Sequence, residues 1–195
     1  HPISRDRALD VAAAPLRKQV TTRRWYGFVR MQARVARQIP TILGVSSASA
    51  ADTVKDFRLD PAQMQVIPLG VDTDLFAPGR ERTPGRIVVV ASADKPLKGL
   101  PHLLDAVAKL RTERHIDLQL VSTLYDDGPT ATRIREGDLA GAVTVHSGIS
   151  DEELAGLIAS AEVMAVPSLY EGFSLPAVEA LACGTPLVAS AAGAL

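Results

Sequence analysis

From Arg86 onward, short apolar runs alternate with segments of helical period, and no other feature constrains the fold as strongly. Strands are expected at 87–91, 116–122, 143–146, 163–166 and 187–190. Helices are expected between them at 100–111, 130–136, 151–160 and 175–182. Strands separated by helices at this spacing cannot pair as hairpins. They form a parallel, doubly wound α/β sheet of Rossmann-like type, whose ligands sit beyond the carboxyl ends of its strands. The 195 residues, 47% hydrophobic, suffice for one sizeable core or two modest ones.

The segment before Arg86 has a different character. Residues 41–45 read as a buried strand, Ser46 or Ser47 as a cap, 48–57 as a helix and 64–67 as another strand. Pro68, Gly70, Pro78, Gly79, Pro84 and Gly85 mark a connection. The expected division is therefore residues 1–70 as the end of one domain, 71–85 as a linker and 86–195 as a second domain, with both domains incomplete. Residues 1–40 carry nine Arg or Lys against Asp6 and Asp10. Within 21–39, Trp25, Phe28, Gln32, Val35 and Ile39 share one helical face, and Arg23, Arg30, Arg34 and Arg37 the opposite one. Two readings fit this basic amphipathic helix. In the favoured one its apolar stripe packs inward with the arginines in water; in the other it is drawn to an anionic membrane surface.

Net charge of −1 and 4% aromatic content give no sign of nucleic-acid binding. A single cysteine excludes an internal disulfide and a four-cysteine zinc site, and Cys183 reads as a small buried residue. His102, His115 and His146 lack metal-ligand partners at suitable spacing, so surface or core roles are expected of them. No apolar run reaches the ~18 residues of a membrane span and no signal peptide is visible, so the expected setting is cytoplasmic, with a peripheral place at the inner membrane face as an option. Residues 125–129 read as a turn, and Ser150 with Glu153 as a capping box.

The chemistry concentrates in Pro167-Ser168-Leu169-Tyr170-Glu171-Gly172-Phe173-Ser174-Leu175-Pro176 and the helix that follows. A strand ends at Pro167, a loop carries Glu171, Ser174 stands as N-cap and Pro176 lies in the first turn. The N–H groups of Phe173, Ser174 and Leu175 at that helix start suit a phosphate, and Gly172 lets it come close to the backbone. Glu171 and Glu179 bracket this anion site. Carboxylates repel phosphate but accept sugar and ribose hydroxyls, so one diphosphate ligand with hydroxyls on both sides accounts for the pattern. Lys98, before Gly99 and Leu100, follows the first strand of the second domain and supplies a point charge at the same sheet edge.

These residues resemble the Glu-x7-Glu signature of retaining, nucleotide-sugar-dependent glycosyltransferases of family 4, which have the GT-B fold. The likeness runs from Glu171 through Glu179 to 182–190. Residues 66–76 resemble that family's interdomain connection and Lys98 its donor-phosphate lysine. The resemblance implies a sugar transferred from a nucleoside diphosphate to a sugar or lipid-linked acceptor. It places Glu171 on donor-sugar hydroxyls, the N–H groups of Gly172, Phe173 and Ser174 on sugar or diphosphate, Lys98 on phosphate charge and Glu179 on ribose. It implies no cofactor and no bound metal. Where the family commonly has an arginine, five residues before the lysine, this chain has Ala93, and Lys95 is the candidate second cation. His1 is a candidate for the family's histidine near the transferred sugar. Two other readings are an isolated nucleotide-binding half without activity, and a nucleotide-sugar epimerase or phosphorylase of similar architecture.

Overall fold

A computed structural model describes residues 16–135 and 138–195. His1, Asp6, Asp10 and the last residue of the helix expected over 130–136 lie outside them. The described chain divides into two compact units, one ending at Leu69 and the other running from Gly70 to Gly193 with Leu195.

In the first unit, α1 (Leu16–Ala36) precedes β1 (Ile42–Gly44), α2 (Ser47–Phe57) and β2 (Met64–Val66). The two short strands pair in parallel, Ile42 opposite Met64, and the strand expected to be buried is not: Leu43 at its centre is 61% exposed, because among the described residues β1 pairs only with β2. Ser46 caps α2, its Oγ accepting the Ser49 N–H at 3.0 Å. The apolar stripe expected to face inward along α1 does not. Trp25, Phe28, Val35 and Ile39 are exposed, and Tyr26, Val29, Ala33 and Ala36 are buried instead. Both sets have helical spacing, but α1 packs on α2, and Ala33 and Ala36 allow the closer approach. The arginines at 23, 30, 34 and 37 are exposed.

The second unit is built on a five-stranded, all-parallel sheet in the order β5-β4-β3-β6-β7. Its strands are β3 (Thr83–Val90), β4 (Asp117–Val121), β5 (Val143–His146), β6 (Ala161–Val166) and β7 (Leu187–Ala189). Helices α3 (Leu100–Leu110), α4 (Pro129–Arg135), α5 (Asp151–Ala159) and α6 (Leu175–Ala182) connect them. The strand β3 starts at Thr83, inside the expected linker, because Pro84 and Gly85 fall at an irregularity between its pairings at Thr83 and Ile87.

Period-two alternation sorts the core. Ile87, Val89, Leu118, Leu120 and Ala165 pack against Leu100, Leu104 and Val107 of α3 on one face. Val88, Met164 and Val166 pack against Ala155 and Ile158 of α5 and Ala177, Ala180 and Cys183 of α6 on the other. Each large aliphatic side chain buried in this way contributes roughly 1.5–3 kcal/mol. Helices on both faces cover the sheet, which is what an all-parallel arrangement requires. The capping box of α5 is present, with Ser150 Oγ accepting the Glu153 N–H and Glu153 Oε2 accepting the Ser150 N–H.

Candidate active site at the sheet's switch point

The chain steps outward from β3 to β4 and β5, then returns to the other side of β3 for β6 and β7. The loops after β3 and β6 therefore diverge over the crevice between adjacent strands, where ligands of such sheets bind. Lys98 stands on the first loop, at the end of a 3-10 turn over Pro96–Lys98, and Glu171 on the second. The two meet: Lys98 Nζ lies 2.7 Å from Glu171 Oε1, with side chains 34% and 13% exposed. Ser168 Oγ donates to the same oxygen at 2.6 Å. Between the loops, the Leu169 N–H donates to the Leu97 carbonyl at 2.8 Å.

Two glycines make this closeness feasible. Gly99 has φ of +62°, and a Cβ there would overlap the Pro167 carbonyl oxygen. Gly193, with φ of +66°, would drive a Cβ into the Glu171 carbonyl oxygen. Neither Gly193 nor Ser168 was singled out by sequence reasoning. Ser168 lay inside the signature stretch, so its neighbourhood was the available signal; Gly193 had none, because its partner lies in another loop.

Ser174 is the N-cap residue of α6 by position, yet its side chain does not cap. It is 5% exposed and its Oγ has no hydrogen-bond partner. A buried hydroxyl left unpaired costs free energy that a ligand oxygen could offset. Pro176 stands in the first turn. Glu179, in the second turn, is partly buried. Burial, with the charge of Asp151 adding to it, pushes its carboxyl above the ordinary glutamate range. The buried thiol of Cys183 is raised for the same first reason, with Glu179 adding.

A cavity of about 510 Å³ opens over the carboxyl ends of β3, β4 and β5. Ala93, Lys95 and Lys98 line one end, Ser147, Gly148 and Ile149 the other, and Pro176 brings the start of α6 to its rim. Lys95 is exposed and shares this cavity with Lys98. Glu171 joins through its ion pair with Lys98; Gly172, Phe173, Ser174, Leu175 and Glu179 are near in sequence to Pro176 but do not line the cavity. The Ala93 N–H donates to Ser122 Oγ at 2.9 Å. Asp94, at φ of +58°, accepts the Thr130 N–H and hydroxyl at 3.0 and 2.7 Å, so the loop is pinned on both sides. A second cavity of about 400 Å³, between α3 and α4, contains Lys95 but neither Lys98 nor Glu171. Among the described residues there is no group of three His, Cys, Asp or Glu placed to hold a metal.

Residues 71–195 match the family model described as glycosyl transferases group 1. The whole chain is 61% identical, over 47% of the relative's length, to the MMP alpha-(1->4)-mannosyltransferase of Mycolicibacterium hassiacum. A D-inositol 3-phosphate glycosyltransferase of Mycolicibacterium smegmatis is 33% identical over 77% of this chain and 37% of its own length. The chain thus spans about half the length, or less, of the curated relatives it matches. Among solved structures, a sucrose-phosphate synthase from Thermosynechococcus elongatus superposes with a TM-score of 0.71 at 27% identity, over 95% of this chain and 48% of that one. HepE of Anabaena in complex with UDP-glucose superposes at 0.69 and 24% identity, over 85% and 50%. The crevice between β3 and β6 thus lies in a Rossmann-like sheet of GT-B type, and the chain belongs to the group 1 glycosyltransferase family.

Proposed function

We propose that this chain forms the donor half of a retaining, family 4 type glycosyltransferase using a nucleoside diphosphate sugar. The observation that carries this reading is the Lys98–Glu171 ion pair at the switch point. A lysine held there by a carboxylate is set to neutralise phosphate, while the carboxylate is set to accept sugar hydroxyls. Ser174, with Gly172, Phe173 and Leu175, gives the helix start on which the diphosphate rests, and the unpaired Ser174 hydroxyl supports this. Lys95 supplies the second cation at the cavity that an arginine would otherwise fill. Glu179 takes the ribose hydroxyls.

In the reaction, the bond from the anomeric carbon to the β-phosphate oxygen breaks and its electron pair leaves with the nucleoside diphosphate. An acceptor hydroxyl oxygen bonds to that carbon from the same face, and its proton passes to the departing phosphate oxygen. Lys98 stabilises the negative charge that develops on the leaving group. No metal and no cofactor are needed for these steps. The 61% identical mannosyltransferase favours mannose as the sugar, and its α linkage would be a retained configuration if the donor is α-linked.

Calorimetry with UDP, GDP and ADP, without metal, tests the donor site. Binding of at least one in the presence of EDTA is expected. No binding at millimolar ligand would overturn the reading. For the reaction, the anomeric configuration of the product, read by NMR, is expected to be retained. Donor consumption without an acceptor would instead indicate the epimerase alternative.

A second reading concerns location. The exposed Trp25, Phe28, Met31 and Val35 on α1, with exposed arginines along the same helix, support peripheral contact with an anionic membrane at the cytoplasmic face. Among the described residues, no helix is long and apolar enough to cross a membrane. Co-sedimentation with phosphatidylglycerol vesicles should be lost in Trp25→Ser/Phe28→Ser, and equal binding to neutral vesicles would refute the electrostatic part.

A further inference from the structure

On the α5 face of the sheet, β4 and β5 carry polar side chains where an apolar core would be expected. Arg86 Nε donates to Asp117 Oδ2 at 2.9 Å and its Nη1 to Ser160 Oγ at 3.1 Å. Asp117 Oδ1 accepts the Gln119 side-chain amide, and Gln119 Oε1 meets His146 Nε2 at 2.6 Å. The register explains the chain of contacts: Arg86 pairs with Asp117 and Val121 with His146, so alternate residues of three neighbouring strands share one face. Gln119 is 5% exposed. Buried polar groups of this kind are retained when each has its partner.

The chemistry of the chain fixes the imidazole. Asp117, paired with Arg86, only accepts, so the Gln119 NH2 must face it. Gln119 Oε1 then only accepts as well, so His146 Nε2 must carry the hydrogen. In the neutral ring Nδ1 is left as an acceptor, and no partner for it is present among the described residues. His146 lines the 510 Å³ cavity with Ser147, Gly148 and Ile149. That end lies at β5, two strands from the Lys98 loop after β3, or about 10 Å across the sheet. This matches the span from a diphosphate to the base of the same nucleotide.

We propose that His146 is a specificity-determining residue that accepts, at Nδ1, an N–H from the donor's nucleobase. Gln119 is the positioning residue that holds it in the required tautomer, backed by Asp117 and Arg86. This rests on the nucleotide-donor reading above. The ligand chemistry is a base with a ring N–H on its polar edge, such as uracil or guanine. Methylating that nitrogen should remove the contact.

Calorimetry with the preferred nucleotide and its N-methyl counterpart, N3-methyl-UDP or N1-methyl-GDP, provides the test. In the wild-type protein, methylation should weaken binding roughly fivefold to thirtyfold. In His146→Phe the parent nucleotide should be weakened by a similar factor, with little further loss on methylation. Gln119→Leu, if folded, should narrow the preference for the parent nucleotide, a ratio that general destabilisation would not move. Independently of any ligand, ¹⁵N NMR of the wild-type His146 ring should show hydrogen on Nε2, and hydrogen on Nδ1 would overturn the positioning argument. Failure of UDP, GDP and ADP to bind at all overturns both this inference and the donor reading. Tight binding of the methylated nucleotide overturns this inference alone.

Discussion

Glu179 carries a charge that folding disfavours and that the proposed function requires. Burial and Asp151 raise its carboxyl, so the folded protein holds a proton there more tightly than the unfolded chain. The stabilisation from that proton is present below the ordinary glutamate range and is lost as pH rises through the elevated folded value. At neutral pH the ionised group is therefore a cost. Glu179→Gln is expected to raise Tm at neutral pH in thermal melts and to leave it nearly unchanged at about pH 4, where wild type is itself protonated. The same variant should weaken nucleotide binding by calorimetry. A Tm unchanged at neutral pH would refute the burial argument. Lys98 is the converse case. Its pair with Glu171 is part-buried, the Glu171 side chain being 13% exposed, so Lys98→Met should cost about 1–3 kcal/mol of stability, while nucleoside diphosphate affinity falls at least tenfold. Equal loss of both would mean that the pair is structural.

At the scale of elements, the glycines that let two loops meet are the sensitive points. Gly99→Ala forces a Cβ into the Pro167 carbonyl at positive φ, which costs at least about 1–2 kcal/mol and about 2–8 °C in Tm. It should also weaken nucleotide binding, because the 3-10 turn bearing Lys98 must move. Gly27 is the contrast: it lies inside α1, exposed, and a Cβ added there would meet nothing within 4 Å. Gly27→Ala should stabilise by about 0.5–1 kcal/mol, read by chemical denaturation. Elements themselves were largely legible in the sequence, since the strands, the Ser46 and Ser150 caps and the α6 start follow from local chemistry, although the burial expected of residues 41–45 does not hold at Leu43. Faces were less so. On α1, two apolar arcs both have helical spacing, and packing on α2 decides for Tyr26, Val29, Ala33 and Ala36. On α6, Leu175 and Leu181 are exposed while Ala177 and Ala180 are buried. Ser174 shows a similar limit: its type predicts a side-chain cap, but the fold leaves its hydroxyl buried and unpaired.

For the molecule as a whole, the second unit is one layered body in which α6 connects site and core. Cys183, at its end, is 3% exposed and its thiol is held protonated by burial and by Glu179. Alkylation of this single cysteine should therefore be slow in the native protein and fast in denaturant, and bound nucleotide should slow it further. Fast labelling of the native state would show that α6 opens locally. Local sequence was enough for the α/β alternation, for the parallel sheet it enforces, for a lysine and a glutamate on loops that follow strands and for a second glutamate in the next helix, because periodicity and capping act over a few residues. It took the three-dimensional fold to bring Lys98 against Glu171, to require a small residue at Gly193, to choose the buried face of α1 and to run a polar chain from Arg86 to His146. Those depend on strand order and register, which bring together residues from separate strands and loops, and no local propensity encodes that distance.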